Sequence, residues 1–304
     1  MRTTPYHAGE HVADAGLTAE VDACPACGFT GERRRAHEIQ RAPDLWLLEC
    51  PQCGIASASR MPTPETLDAY YGRYYDPDGD KSTFSGLERF AAHLAAAIGE
   101  CRSTGRLRVM DLGGGDGAVV AAACASLVRD GRATDIEVVL VDYESPTSEK
   151  YPGVTLVGER DLQQTEGSFD AIIASAILEH IPKVGPTLRT LFGKLRSGGT
   201  LYARTPYWVP LLRWLPKTDI TFPGHVHDMG APFWAAVPTT FDVDAEQVWC
   251  RPSIVETTLR DAPLRTAAAW LLKAPAHVEV SMRGPGVVPH WGYVGGWEAL
   301  LRLR

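Results

Sequence analysis

Nothing in this 304-residue sequence approaches the run of about twenty apolar residues that a membrane span requires. The N-terminal stretch MRTTPYHAGEHVADAG also lacks the apolar core of a signal peptide, so the expected compartment is the cytoplasm. Basic charge is scarce: 30 Lys and Arg against 37 Asp and Glu leave a net charge of -7, which counts against a general binder of nucleic-acid phosphates. No internal repeat or low-complexity tract suggests a scaffold. An apolar fraction of 45% and a mean hydropathy of -0.12 are those of a soluble globular chain, long enough for one large domain and a small module.

Cysteine is sparse and unevenly used. Of seven, Cys101, Cys124 and Cys250 are scattered, whereas Cys24, Cys27, Cys50 and Cys53 form a C-x2-C-x22-C-x2-C pattern within CPACG and CPQCG. Each C-x2-C turn aims two thiolates at one point, and the glycine that follows permits the positive φ of the turn. Two such knuckles complete a tetrahedral sulfur shell, so a structural zinc ribbon is expected over residues 1–62. A redox pair would instead favour a single C-x-x-C at a helix start. Many zinc ribbons bind nucleic acid, but residues 1–70 carry six basic against ten acidic side chains. The run Arg33 to Arg35 is flanked by Glu32 and Glu38 and reads as a solvated turn. The ribbon is therefore expected to cap a small-molecule enzyme.

The most informative segment is RVMDLGGGDGA, residues 108–118, in which an apolar strand passes Asp111 and runs into a glycine-rich turn and an alanine-rich helix. Gly113, Gly115 and Gly117 allow a tight turn and close approach of a ligand to the backbone. By itself the segment also satisfies the G-x-G-x-x-A dinucleotide fingerprint. Further segments bear on the choice. EVVLVD ends a second strand on Asp142, where a carboxylate can accept both hydroxyls of a ribose. A third strand, Val154 to Val157, precedes Asp161 and Leu162, placed to pair an adenine amino group. FDAIIASAILEHI ends a fourth strand near Glu179 and His180, and LRSGGTLYARTP feeds a fifth.

This ordered set, over about residues 107–207, resembles the class I S-adenosylmethionine-dependent methyltransferases, especially the branch whose fourth strand ends in LEHI. The run CPQCGIASASRMPTPETLDAYYGRYY is similar to the junction in bacterial small-molecule methyltransferases that carry an N-terminal zinc ribbon. The resemblance implies an α/β fold: a doubly wound seven-stranded sheet preceded by a four-cysteine ribbon. It implies S-adenosyl-L-methionine as cofactor, held at Asp111, Gly113, Gly115, Gly117, Asp142, Asp161 and Leu162. Tyr75 or Tyr71 is implied at its methionine end, although a tyrosine cluster also serves packing. Residues 63–100 then form a linker and an entry helix covering the cofactor site, in which Thr63 caps Pro64, the polar stretch 76–81 is a hinge or lid, and Leu87, Phe90, Leu94 and Ile98 recur at helical spacing. Residues 101–304 form the catalytic domain, with a substrate-lid insertion at about 208–248.

Methyl transfer to oxygen or an acidic carbon requires removal of a proton, for which histidine is suited. His180, beside Glu179, lies where the resemblance places residues near the methyl group; the pair equally suits a brace for the following turn. TFPGHVHDMG offers His225, His227 and Asp228, in which Asp228 orients an imidazole, or the three bind a divalent metal, or they form an ordinary polar loop. The aromatics from Tyr207 to Trp249 are expected to line an apolar acceptor pocket, some as core. Helices are expected in RPSIVETTLRD and APLRTAAAWLLK, and two terminal strands in HVEVSMRG and GYVGGWEALLRLR, joined through Pro285 and Gly286. Zinc-containing sugar C-methyltransferases resemble the chain but carry a further C-terminal domain for which it has no room. The expected reaction is thus methyl transfer to a small-molecule hydroxyl, with specialised metabolism as its expected setting. N- or C-methylation, an RNA or protein acceptor, and non-methylating adenosyl binding are the alternatives.

Overall fold

The computed structural model describes residues 9–74, 87–215, 220–254 and 263–304. Its N-terminal part is built on two turns of the same design. After β1 (Leu17–Glu20), the first cysteine turn leads to β2 (Arg34–Gln40) and β3 (Leu45–Glu49); the second leads to β4 (Ala56–Ala58) and β5 (Arg60–Pro62). In both turns the glycine amide donates to the first cysteine carbonyl, Gly28 to Cys24 and Gly54 to Cys50, each at 2.9 Å. The two glycines have φ of +78° and +72°, the left-handed region that the sequence reading assigns them. β2, β3 and β4 pair antiparallel, and β1 pairs with β5.

Two helices lead to the large sheet. α1 (Pro64–Tyr74) starts where Thr66 N donates to Thr63 Oγ1 at 3.3 Å, so Thr63 supplies the expected cap. α2 (Leu87–Ile98) buries Phe90, Leu94 and Ile98, while Leu87 is left exposed. Then follow β6 (Arg106–Leu112), α3 (Ala118–Arg129), β7 (Asp135–Val141), β8 (Val154–Glu159) and β9 (Phe169–Ser175). α4 (Val184–Lys194), β10 (Leu195–Tyr207), α5 (Val209–Leu212), β11 (His227–Asp228) and α6 (Ala231–Thr240) continue the chain, which ends with β12 (Ala245–Pro252), α7 (Pro263–Arg283) and β13 (Gly295–Leu303).

The seven-stranded sheet has the order β12-β13-β10-β9-β6-β7-β8. β13 runs antiparallel to both neighbours and the remaining pairs are parallel. Successive residues of its strands point to opposite faces, giving two cores. Val109, Val138 and Ile173 pack with α2 and α3, whereas Met110, Val139 and Ile172 pack with α4 and α6. Strand order reverses between β6 and β9, which opens a crevice at their carboxyl ends.

The C-terminal third departs from the sequence expectation. HVEVSMRG lies almost entirely in α7 rather than in a strand, and the sixth strand of the fold is β12, immediately after the insertion. The valines of that segment read as strand formers, but Thr266, Lys273, Ala276 and Val280 recur on one buried helix face, and that packing prevails over local propensity. Within RPSIVETTLRD, Arg251 and Pro252 end β12, and residues 255–262 lie outside the described set. The insertion is also less open than expected, since Phe222, Phe233 and Trp234 are each no more than 1% exposed.

The cysteine module and the large sheet share one core. Cys24, Cys50, Cys53 and Ile55 belong to the same buried cluster as Leu178, Val184 and Phe233. β11, from the insertion, extends the N-terminal sheet by pairing with β4, His227 opposite Ser57 and Asp228 opposite Ala56. At the other seam Gly185 N donates to Pro25 O at 3.1 Å, and a Cβ on Gly185 would lie 2.3 Å from Ala26 O. Gly185→Ala must therefore push α4 from the first cysteine turn. Chemical denaturation should show a loss of about 2 kcal/mol or more in a single transition; an unchanged midpoint would contradict this packing.

Candidate active site

The glycine turn between β6 and α3 forms one wall of the crevice. Gly113, Gly115 and Gly117 have φ of +72°, +60° and +77°. A Cβ at Gly113 would strike Ile177, and one at Gly117 would strike Leu140, at 2.6 and 2.5 Å. At Gly115 the nearest atom is Glu144 Oε2 at 3.9 Å, so this backbone faces open space, as a close-approaching ligand requires. The next strand delivers Asp142 above it: Gly115 N donates to Asp142 Oδ2 at 2.9 Å, and Glu144 N to Oδ1 at 3.0 Å. Asp111 is buried against the turn, and burial, together with the charge of Asp142, pushes its carboxyl up to about 7.

Beyond β8, Asp161 accepts from Gln163 N and Gln164 Nε2 at 2.8 and 3.0 Å, and Leu162 packs against the core. The sequence-identified acids and glycines thus stand together at the carboxyl ends of β6, β7 and β8. Tyr75 lies outside the described residues.

A second group lies beyond β9, next to the turn through the Gly113–Ile177 approach. Two non-glycine residues with positive φ introduce its two segments: Ala176 at +56° before the turn Leu178–His180, and Thr221 at +65° before His225. Such backbone strain of about 1–3 kcal/mol per residue persists only where surrounding structure holds it. The segments are tied together by Val226 N donating to Glu179 O at 2.9 Å.

His227 lines the same small recess as His225, but both of its ring nitrogens are already engaged. Its Nε2 lies 3.0 Å from Ile181 O, and because a carbonyl only accepts, Nε2 carries the proton; Nδ1 then accepts from Ser57 Oγ at 2.9 Å. The ring is 2% exposed, and burial pulls its pKa down to about 4. Both nitrogens are committed, so the expectation of a proton-removing His227 gives way to a bracing role. Asp228, also buried, accepts from Trp208 N and does not orient a histidine; burial pushes its carboxyl up to about 7.

His180 and His225 do meet, ring centroids 4.7 Å apart at 71°. His180 Nδ1 lies 2.8 Å from Gly224 O and 2.9 Å from Tyr71 Oη. Burial lowers the His180 pKa to about 4. Glu179 is the member whose importance the sequence reading underweights. It is 3% exposed, its Oε2 has no hydrogen-bond partner among the described residues, and burial pushes its carboxyl up to about 7. His225 also borders a small recess with Leu47, Trp208, Leu212 and Ile220. Of the aromatics expected to line a pocket, Trp208 does so, whereas Phe233, Trp234 and Phe241 are core.

Away from this crevice, the four paired cysteines converge. Cys24 Sγ and Cys53 Sγ are 3.7 Å apart, as are Cys27 Sγ and Cys50 Sγ, and all four lie within 4.8 Å of one another. Disulfide sulfurs sit about 2.05 Å apart. Ligands about 2.3 Å from a tetrahedral zinc stand about 3.8 Å apart. The donor set and its spacing fit that ion.

A family model described as a methyltransferase domain matches residues 80–239, just over half of the chain. The protein belongs to this family and is an S-adenosylmethionine-dependent methyltransferase. No curated protein sequence matches it. Among solved structures, it is similar to the plantazolicin methyltransferase BpumL in complex with a monoazolic desmethyl-plantazolicin analogue and S-adenosylhomocysteine: 12% identity, TM-score 0.47, covering 78% of this chain and 93% of that one. It is also similar to an S-adenosylmethionine-dependent methyltransferase from Mesorhizobium loti, at 18% identity and TM-score 0.42, covering 71% and 100% of the two chains. Coclaurine N-methyltransferase bound to N-methylheliamine and S-adenosylhomocysteine gives 15%, 0.41, and coverage of 74% and 73%.

Replacing His227 with alanine should strand Ser57 Oγ and Ile181 O, costing about 2–3 kcal/mol of stability by denaturant titration. Wild-type stability in His227→Ala would refute the bracing role.

Proposed function

We propose that the protein transfers a methyl group from S-adenosylmethionine to a hydroxyl oxygen of a small molecule. The observation that carries this reading is the placement of Glu179, His180 and His225 directly beyond the glycine turn, joined to it by Ile177 against Gly113. When bound, the cofactor supplies an electrophilic methyl group for in-line displacement: the carbon–oxygen bond forms as the carbon–sulfur bond breaks, with its electron pair left on sulfur.

The residues fit that cofactor. The open backbone at Gly115 provides the cradle, flanked by Gly113 and Gly117. Asp142 accepts the ribose hydroxyls, Asp161 and Leu162 serve the adenine, and the buried Asp111 supports the turn. The acceptor enters from the side of Trp208, where orientation and exclusion of water supply much of the rate. Its hydroxyl loses its proton at the Glu179–His180–His225 group, and Tyr71 positions His180 through Nδ1. The four cysteines hold a structural zinc ion that fixes the N-terminal turns against α4. We assign the ribbon to residues 1–62, the linker to 63–100 and the catalytic domain to 101–304. Among the described residues no helix is long and apolar enough to cross a membrane, and we place the enzyme in the cytoplasm.

Incubation with methyl-labelled cofactor and a panel of phenols, hydroxy acids and amines, with RNA as control, tests the reading. Label is expected on an oxygen of a small acceptor; transfer confined to amines or RNA would overturn it. Asp142→Ala should weaken cofactor binding about tenfold or more by calorimetry, and unchanged affinity would remove Asp142 from the site. His225→Ala should lower turnover about a hundredfold with cofactor affinity unchanged; near-normal turnover would remove His225 from the proton-handling group.

Asp111 adds a pH dependence. Below about pH 7 its carboxyl is protonated, and a cationic cofactor favours the carboxylate, so binding releases a proton. Affinity should rise by up to about tenfold from pH 6 to pH 8 and lose that rise in Asp111→Asn. A flat wild-type profile would refute the coupling.

A further inference from the structure

Glu179, His180 and His225 present one carboxylate oxygen and two ring nitrogens within 4.8 Å of one another. A cluster of this kind need not bind anything, but two independent observations point to a ligand here. Glu179 is almost fully buried, and its Oε2 has no hydrogen-bond partner among the described residues, although the charge of Arg204 acts on the carboxyl. A buried carboxylate oxygen with no donor is costly unless a cation or a donor arrives to meet it. The second observation is the tautomer of His180. Gly224 O can only accept, so Nδ1 of His180 carries the proton and Nε2 keeps the lone pair. A ligating histidine characteristically has its other nitrogen fixed in this way by a carbonyl.

The rest of the loop excludes the neighbouring choice of ligands. His227 is committed on both nitrogens, and Asp228 accepts from the Trp208 amide. The set that remains, two imidazoles and one carboxylate on one side of a crevice, suits divalent first-row ions of borderline softness and leaves further coordination positions for other oxygen ligands. Ligands at about 2.1 Å from such an ion stand about 3–3.5 Å apart, so the three groups need draw in by only about an ångström.

We propose that Glu179, His180 and His225 bind a divalent first-row cation, and that its open positions receive two neighbouring oxygens of the acceptor, as in an α-hydroxy acid or an ortho-diol. The ion site stands on these residues alone; its service to the acceptor rests on the methyltransferase reading given above. In that case the group removes the acceptor's proton through the ion rather than through an imidazole base: the bound hydroxyl would be acidified and would release its proton to solvent water, its oxygen keeping the electron pair with which it attacks the methyl carbon. The histidines act as ligands, and Tyr71 is a positioning residue for His180.

Metal binding is measured on the full chain with its cysteine-bound ion in place, without cofactor or acceptor, so that this inference and the methyl-transfer reading can fail separately. Mn2+ is titrated by electron paramagnetic resonance, since thiolates compete poorly for it, and Zn2+ by calorimetry. One saturable site beyond the cysteine cluster is expected. Glu179→Gln and His225→Ala should each weaken it about a hundredfold or more. Unchanged S-adenosylmethionine affinity in both variants shows that the crevice is intact. The proposal is overturned if neither ion finds a saturable site in the wild type, or if either ion binds the two variants as tightly as the wild type. A second arm tests the occupant: α-hydroxy acids should tighten Mn2+ binding at least several-fold while the corresponding monoalcohols do not, and equal effects would overturn the bidentate acceptor.

Discussion

The segment from Thr221 to Met229 is the strap on which the arrangement depends. Its backbone joins the turn after β9 through Val226 and Glu179, and it joins the N-terminal sheet through the pairing of β11 with β4. His227 closes both attachments with a single ring, donating to Ile181 and accepting from Ser57. Each of these bonds is modest in isolation, about 1 kcal/mol, but all are made in a buried setting where an unmade bond costs more than a made one contributes. The strap brings His225 to His180 and closes one side of the recess beside Trp208. Without it, His180 and His225 would sit on two separate loops.

The four-cysteine cluster is part of the same construction. Its turns place Cys24, Cys50, Cys53 and Ile55 in the core that also contains α4 and α6, and a Cβ on Gly54 would lie 2.6 Å from Pro232, nearly as tight as Gly185 against Ala26. Only a residue without a side chain permits either approach. A metal bound by the cysteine turns would therefore also hold the start of α4, which follows the Glu179–His180 turn directly.

Features set by local stereochemistry were legible in the sequence. The glycines at 28, 54, 113, 115 and 117 mark turns that need positive φ, and Asp142 follows a strand with an unbroken apolar end. The family resemblance placed the sheet around them, and the family match and the sheet order agree with it. Features set by distant partners were not legible. His225 and His227 are two residues apart in one polar loop, and only Ser57 and Ile181 decide that one is a brace. Phe233 and Trp234 read as pocket residues because the helix carrying them has little periodicity; their burial follows from the shared core, in which Trp234 Nε1 donates to Thr205 Oγ1. β12 is hidden for a like reason, since its inward and outward residues alternate weakly, while the valines inside α7 imitate a strand.

Sharing a core between the beginning and the middle of the chain has a consequence for synthesis. Ser57 and His227 are 170 positions apart, so the N-terminal sheet lacks its outer strand until most of the polypeptide has left the ribosome. Contacts that span so much chain form late, because their loop-closure entropy must be met before they contribute. The cysteine turns, by contrast, close over a few residues and can load metal early. The nascent protein then carries preformed cysteine turns beside an unpaired sheet edge, and that edge waits for β11 to reach it.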